Sequence, residues 1–236
     1  MPRVRQLHPW QVSPAEAERI QRELAAQVSQ EGEVGEVRLV AGVDISAADS
    51  QGVARGAVVV LSYPELELVE ARVVGQKPGF PYIPGLLSFR ESPLILAAYE
   101  KLSCLPDLVL VDGQGVAHPR RFGLASHLGL LWERPTIGCA KSRLCGAHGA
   151  LGAGVGCYTE LREGAEVLGA VVRTREATSP LYVSVGHRIG LAAAIRWTLN
   201  CCRGHRLPEP SRLAHLAAGG EIEEGLRQQE AQGKLF

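Results

Sequence analysis

Three acids stand where acids are costly. Asp44 lies near the end of the apolar run Val37–Ile45. Asp112 closes the run Leu108–Val111, and Glu91 follows Phe89-Arg90 just before Ser92-Pro93. A carboxylate taken out of water is unfavourable unless it is paired or binds metal. One such residue reads as a salt-bridged core acid, but three that can converge from neighbouring elements make a candidate metal site. Oxygen ligands of this kind suit a hard cation, Mg²⁺ with Mn²⁺ as a substitute. Such ions hold phosphate oxygens and activate water for in-line attack at phosphorus. Lys141, just past the apolar run Pro135–Ala140, could hold a phosphate or stabilise developing charge; a solvated lysine is the alternative. His118, between Ala117 and Pro119, could contact a phosphate, and His215 could be a further ligand or orient the attacking water. For both, a histidine with no such role is the competing reading.

Glycine patterns narrow the chemistry further. Gly113-Gln114-Gly115 follows a strand-like run, but His118 stands where a dinucleotide fingerprint needs its third glycine. No G-x-x-x-x-G-K-[ST] phosphate loop occurs. Gly113 and Gly115 instead suit a backbone that approaches a flat ligand closely.

The elements that must position these residues are legible in part. Ser13-Pro14-Ala15-Glu16 has the form of a capping box, and Ile20, Leu24 and Val28 follow at spacing four, which predicts a helix to about Ser29. Val37–Ile45, Val53–Ser62 and Leu66–Gly75 read as three strands whose short connections imply an antiparallel meander. The alternation in the third slips between Leu68 and Val69, which admits a bulge there. Leu108–Val111 is a short buried strand of the parallel type, and Pro135–Ala140 is another. Helices are expected over Pro93–Ser103, Pro119–Leu131, around Leu191, Ile195 and Leu199, and over Ser211–Ala217. Glu166–Arg173 and Leu181–Val185 are candidate strands, residues 146–156 a glycine-rich loop, and residues 219–236 a loose polar tail. The simplest reading is one α/β domain over residues 1–236, a three-strand meander followed by strands alternating with helices.

The stretch Phe80-Pro81-Tyr82-Ile83-Pro84-Gly85-Leu86-Leu87-Ser88-Phe89-Arg90-Glu91 concentrates unusual residues. Proline fixes φ at Pro81 and Pro84 and pushes Ile83 to an extended conformation, so Tyr82 and Ile83 stand on a stiff apolar loop. Ser92-Pro93 reads as an N-cap followed by proline at the first helical position, which would hold Glu91 at a helix entrance.

Composition sets the class. Lys and Arg (25) balance Asp and Glu (25), so any polyanion must be bound by local clusters of arginine and lysine rather than by net charge. The six cysteines have no C-x-x-C spacing, which excludes a zinc pattern and points to reduced thiols. No apolar run approaches bilayer length and the start Met1-Pro2-Arg3-Val4-Arg5 lacks a signal-peptide core. The chain is therefore expected to be soluble and cytoplasmic, with no membrane partner.

Together these segments resemble the endonuclease V family of deoxyinosine-specific nucleases. The matching segments are Ala41-Gly42-Val43-Asp44-Ile45-Ser46, Pro81-Tyr82-Ile83-Pro84-Gly85 through Phe89-Arg90-Glu91, and Val111-Asp112-Gly113-Gln114-Gly115 with Ala117-His118-Pro119-Arg120. Further matches are Gly138–Ser142, Val183–His187 and Leu207–Ala214. The resemblance implies a ribonuclease-H-like fold, a mixed sheet flanked by helices. It implies Mg²⁺-dependent hydrolysis of the second phosphodiester bond 3′ to an inosine, leaving a nick and the base in place. It makes Asp44, Glu91 and Asp112 the metal-site acids and places Lys141 at the family's active-site lysine. His215 falls where the family carries aspartate or histidine. Pro81, Tyr82, Ile83 and Pro84 resemble its strand-separating wedge, and Gly85, Leu87 and Gly113 fall near its base pocket. The implied partner is inosine-containing DNA or RNA; no protein partner is implied.

Three rival readings differ in what they need. A junction-resolvase-like nuclease of the same fold has no use for the apolar wedge. An inosine-specific ribonuclease differs in how it treats the 2′-hydroxyl. A non-catalytic inosine binder has no need of three gathered carboxylates.

Overall fold

The computed structural model describes residues 4–222. Its centre is a nine-stranded sheet in the order β3-β2-β1-β4-β5-β9-β8-β7-β6. The strands are β1 (Leu39–Ile45), β2 (Ala54–Ser62), β3 (Leu68–Gln76), β4 (Leu108–Val111), β5 (Thr136–Ala140), β6 (Ala147–His148), β7 (Tyr158–Glu163), β8 (Glu166–Val172) and β9 (Leu181–His187). The helices are α1 (Pro14–Ala25), α2 (Leu87–Tyr99), α3 (Leu124–Trp132), α4 (Leu191–Asn200) and α5 (Glu209–Gly219).

The first three strands form the expected antiparallel meander. Its bulge lies at the predicted slip: Val60 pairs with Glu70 and Leu61 with Leu68, leaving Val69 as the extra residue. β4 joins β1 in parallel and β5 joins β4 in parallel, both as expected. β9 then pairs antiparallel with β5, and β8 and β7 continue that sense.

The sheet is covered on both faces. Val40, Leu108 and Leu110 pack with Ala214 and Ala217 of α5 and Ala193 and Ala194 of α4. Ala41, Val43, Val109 and Val111 pack with Ile95 and Ala98 of α2 and Leu128 and Leu131 of α3. The period of two along a strand makes this division. α1 forms a smaller core with Phe80, Leu86, Phe89 and Phe122.

Several boundaries differ from the sequence expectation. α2 begins at Leu87, not at Pro93, so Ser92 caps nothing and Glu91 lies inside the helix. The reason is burial: a helix started at Leu87 carries Phe89 into the core beside Phe80 and Leu86. Pro93 is accommodated at the loss of one helical hydrogen bond. α1 stops at Ala25, short of Ser29. α3 starts at Leu124 rather than Pro119, because Arg121 takes a left-handed φ of 55° that breaks a helix. The glycine-rich stretch contains the short strand β6, and β7 was not foreseen. α5 runs on to Gly219 and closes on Gly220 in a left-handed conformation; the rest of the expected tail, from residue 223, lies outside the described residues. No helix among the described residues is long and apolar enough to cross a membrane.

Candidate active site

Register brings the two aspartates together. Val43 of β1 pairs with Val111 of β4, so Asp44 and Asp112 follow side by side at the carboxyl ends of adjacent parallel strands. The Asp112 N–H donates to the Val43 carbonyl at 3.3 Å. Lys141 follows β5, the next parallel strand, and its Nζ forms an ion pair with Asp112 Oδ2. Carboxyl ends of parallel strands are where open α/β sheets place their ligands.

α5 supplies the histidine. An added Cβ at Gly42 would sit 1.9 Å from the Pro210 carbonyl oxygen, so only glycine lets α5 lie this close to β1. The close approach sets His215 over Asp44, with Nδ1 2.6 Å from Oδ2. The Ile45 N–H donates to the other oxygen of Asp44 at 2.8 Å. The Asp44 side chain is 10% exposed and that of His215 59% exposed, so the pair faces solvent through the imidazole.

Asp44, Asp112 and His215 each offer a ligand atom within 4.8 Å of the others. Two carboxylates at strand ends and an imidazole from α5, all hard or borderline donors, are compatible with a divalent metal ion. Glu91 is not a member of this trio. It stands close by on α2, where burial first and then the charges of Asp44 and Asp112 push its carboxyl up to about 7. Burial and the Asp44 charge also raise Asp112, with Lys141 acting against them. Glu91 thus holds a proton near neutrality, the mark of crowded negative charge that a bound cation relieves.

A cavity of about 390 Å³ opens beside these groups. Its wall includes Glu91, Asp112 and Lys141 together with Tyr82, Pro84, Gly85, Leu87, Gly113 and His118. Pro81, Ile83, Asp44 and His215 are outside its wall. Tyr82 is 69% exposed, whereas Ile83 packs against the α1 core. His118 is buried, and both ring nitrogens are engaged inside the protein. Nδ1 accepts from the Arg120 N–H at 3.1 Å and Nε2 donates to the Gly85 carbonyl at 3.0 Å. Burial and the neighbouring Arg120 hold its pKa down to about 4, so the ring is neutral.

The family model described as Endonuclease V matches residues 22–216. The chain belongs to the endonuclease V family. An Endonuclease V of Dehalococcoides mccartyi is 52% identical over 216 residues, covering 92% of this chain and 97% of that one. The crystal structure of the Endonuclease V from Streptomyces avermitilis superposes with a TM-score of 0.85 at 39% identity, covering 95% of this chain and 99% of the other. An Endonuclease V of Ciona intestinalis, in complex with a 24mer DNA containing an inosine followed by a ribo-adenosine, gives 0.75 at 31% identity over 89% and 97% of the two chains. The chain is accordingly a nuclease, a hydrolase of phosphodiester bonds, and its mixed sheet flanked by helices is the family's ribonuclease-H-like fold.

Sequence reasoning missed several residues of the cavity wall: Gln21, Ser88, Gln114, Ser142 and Leu144. Gln21 left a signal. It interrupts the apolar face of α1 beside Ala17, Ile20 and Leu24, where a buried amide must find partners. Ser142 and Leu144 left none, since they lie in a coil without periodicity.

Proposed function

We propose that the chain is a Mg²⁺-dependent endonuclease that recognises deoxyinosine and hydrolyses the second phosphodiester bond on its 3′ side, leaving a nick. One observation carries this reading: a single cavity is lined by Asp112, Glu91 and Lys141 and also by Tyr82, Pro84, Gly85 and Leu87, and Asp112 is shared with the Asp44–His215 cluster beside it. A cutting centre and a base-holding loop thus share one space.

Each group has a task within that reading. Asp44 and Asp112 would hold the cation, with Glu91 on α2 as the third acid near them and His215 as a further ligand or as the group that orients the attacking water through its bond to Asp44. When bound, Mg²⁺ would neutralise phosphate charge and make the attacking water more acidic, and Mn²⁺ would serve in its place. Lys141 holds Asp112 and is placed to bear on a phosphate oxygen. Tyr82, exposed on the loop between Pro81 and Pro84, is placed to enter the base stack. Hypoxanthine pairs weakly, so displacing it costs less than displacing an undamaged base. Gly85, Leu87 and Gly113 line the cavity, and hypoxanthine carries an oxygen where adenine carries an amine. A pocket of N–H donors rejects the amine because a buried donor would be left unpaired.

The test is a labelled duplex with one deoxyinosine, incubated with and without Mg²⁺. A nick on the 3′ side of the inosine that requires the cation is expected, and an intact strand overturns the reading. Asp44→Ala and Asp112→Ala should abolish cutting and retain duplex binding. The ribo-adenosine in the Ciona complex favours one second reading, cleavage of inosine-containing RNA. The same assay on an RNA strand separates the two.

A further inference from the structure

The Gly85 carbonyl is held by more donors than a carbonyl needs. Gln21 Nε2 lies 3.0 Å from its oxygen, His118 Nε2 3.0 Å and Arg120 Nη2 2.8 Å. A carbonyl oxygen has two lone pairs, so three donors saturate it. On the other side of the same peptide the Leu86 N–H donates to the Ile83 carbonyl at 2.9 Å. The peptide is therefore locked on both edges. Gly85 has φ +80°, a backbone conformation that favours glycine, and an added Cβ would stand 2.8 Å from Arg120 Nη2 and displace the guanidinium.

Gln21 is the keystone of this arrangement. It is 1% exposed and comes from α1, whose apolar face packs on Phe80, Leu86 and Ile83 of the same segment. Its second amide hydrogen goes to the Phe122 carbonyl at 3.1 Å, and its oxygen accepts from Arg120 Nε. Two carbonyls facing the nitrogen and a guanidinium facing the oxygen leave the amide one orientation. Glu18, one turn earlier on α1, stands 3.5 Å from Arg120 Nη1 and steadies the same arginine. Gln21 thus ties together Gly85, Arg120 and the start of α3, and it lines the cavity itself.

We propose that Gln21 is a positioning residue that sets the place of the Tyr82–Gly85 loop over the cavity and thereby the selectivity for inosine. The inference rests on the reading of that loop as the element that enters the stack and holds the base. The loop is short and stiff, so its reach depends on where its C-terminal end is fastened. Gln21 fastens that end without touching the acids or Lys141. Its loss should therefore weaken recognition and leave the cutting centre intact.

The experiment compares wild type, Gln21→Leu and Gln21→Glu. Leucine keeps the volume and removes every hydrogen bond. Glutamate keeps the acceptor for Arg120 and sets an oxygen against Gly85 and Phe122. Nicking of duplexes carrying deoxyinosine or adenosine at one position, hydrogen exchange of residues 80–87, and Mn²⁺ binding are measured. Both variants should raise KM for the inosine duplex about tenfold, since each loses the hydrogen bond from Gln21 that fastens the Gly85 carbonyl. kcat should stay within about threefold, the sign that ground-state recognition was lost. Exchange over residues 80–87 should quicken, with Mn²⁺ affinity unchanged. A Gln21→Glu protein with wild-type KM and exchange overturns the clamp. So does a Gln21→Leu protein that loses Mn²⁺ affinity and kcat together, which marks a general packing role. Wild type that leaves the inosine duplex intact would instead sink the functional reading, and the exchange data would still decide the clamp.

Discussion

At the scale of the residue, the site is a problem of charge. Asp112 is flanked by Asp44, which raises its pKa, and by Lys141, which opposes that rise. Removing the lysine while keeping its bulk leaves the acids more crowded and takes a positive group from the cavity wall. Lys141→Met should slow single-turnover nicking of a deoxyinosine duplex by on the order of 10²–10³-fold, as loss of one charge-stabilising group does. Duplex binding in Ca²⁺ should persist, and equal nicking rates for the two proteins would remove Lys141 from the chemistry. Asp44, Asp112 and Lys141 were legible because each breaks or ends an apolar strand, where a charged side chain needs a reason. Glu91 was legible as an acid but not in its setting, since Ser92-Pro93 imitates a helix start that burial of Phe89 overrides. Gln21 was visible only as a polar residue on an apolar stripe. Its partners come from Gly85, Arg120 and Phe122, and no local pattern could pair them.

At the scale of the element, α5 and β1 form the hinge of the site. The strand register that sets Asp44 beside Asp112 follows from a parallel pairing the apolar runs already implied. The position of α5 did not follow, because a helix of modest length gives no hint of which strand it crosses. Gly42 holds that information in three dimensions, with the Pro210 backbone against it. Gly42→Ala should push α5 away from β1, destabilise the fold by roughly 1–3 kcal/mol and separate His215 from Asp44. Gly35 has nothing within 4 Å of an added Cβ, so Gly35→Ala serves as the control and should be neutral. Thermal unfolding and nicking measured together check this: a Gly42→Ala protein as stable and active as the control would show that α5 does not need its close seat. The β7 hairpin was illegible for a different reason. Only Leu161 of its residues is buried, so no alternation betrays a strand that is held by hydrogen bonds to β8.

At the scale of the whole molecule, buried histidines make the fold sensitive to acid. His118 is held neutral, its pKa brought from 6.5 to about 4, chiefly by burial. His127 is held well below its ordinary value, buried against Phe89, Phe122 and Trp10, with its Nε2 2.7 Å from that of His8. The unfolded chain takes up protons near pH 6.5 that the folded chain refuses until about pH 4. Stability from His118 is therefore full above about 6.5 and is lost as pH falls through that window, and the lowered His127 acts in the same direction. Glu91, raised to about 7, acts in the opposite sense, because the folded chain keeps a proton the unfolded chain has released. Comparing two proteins cancels that contribution. Unfolding in urea at pH 7.5 and pH 5, without divalent cations, should show wild type losing about 2 kcal/mol more than His118→Gln between the two conditions. Parallel losses would mean that His118 is not held neutral by the fold. The same ring that would make the protein acid-sensitive donates to Gly85. Protonation would leave Nδ1 a donor facing the Arg120 N–H, so the loop anchor and the acid limit of the fold depend on one imidazole.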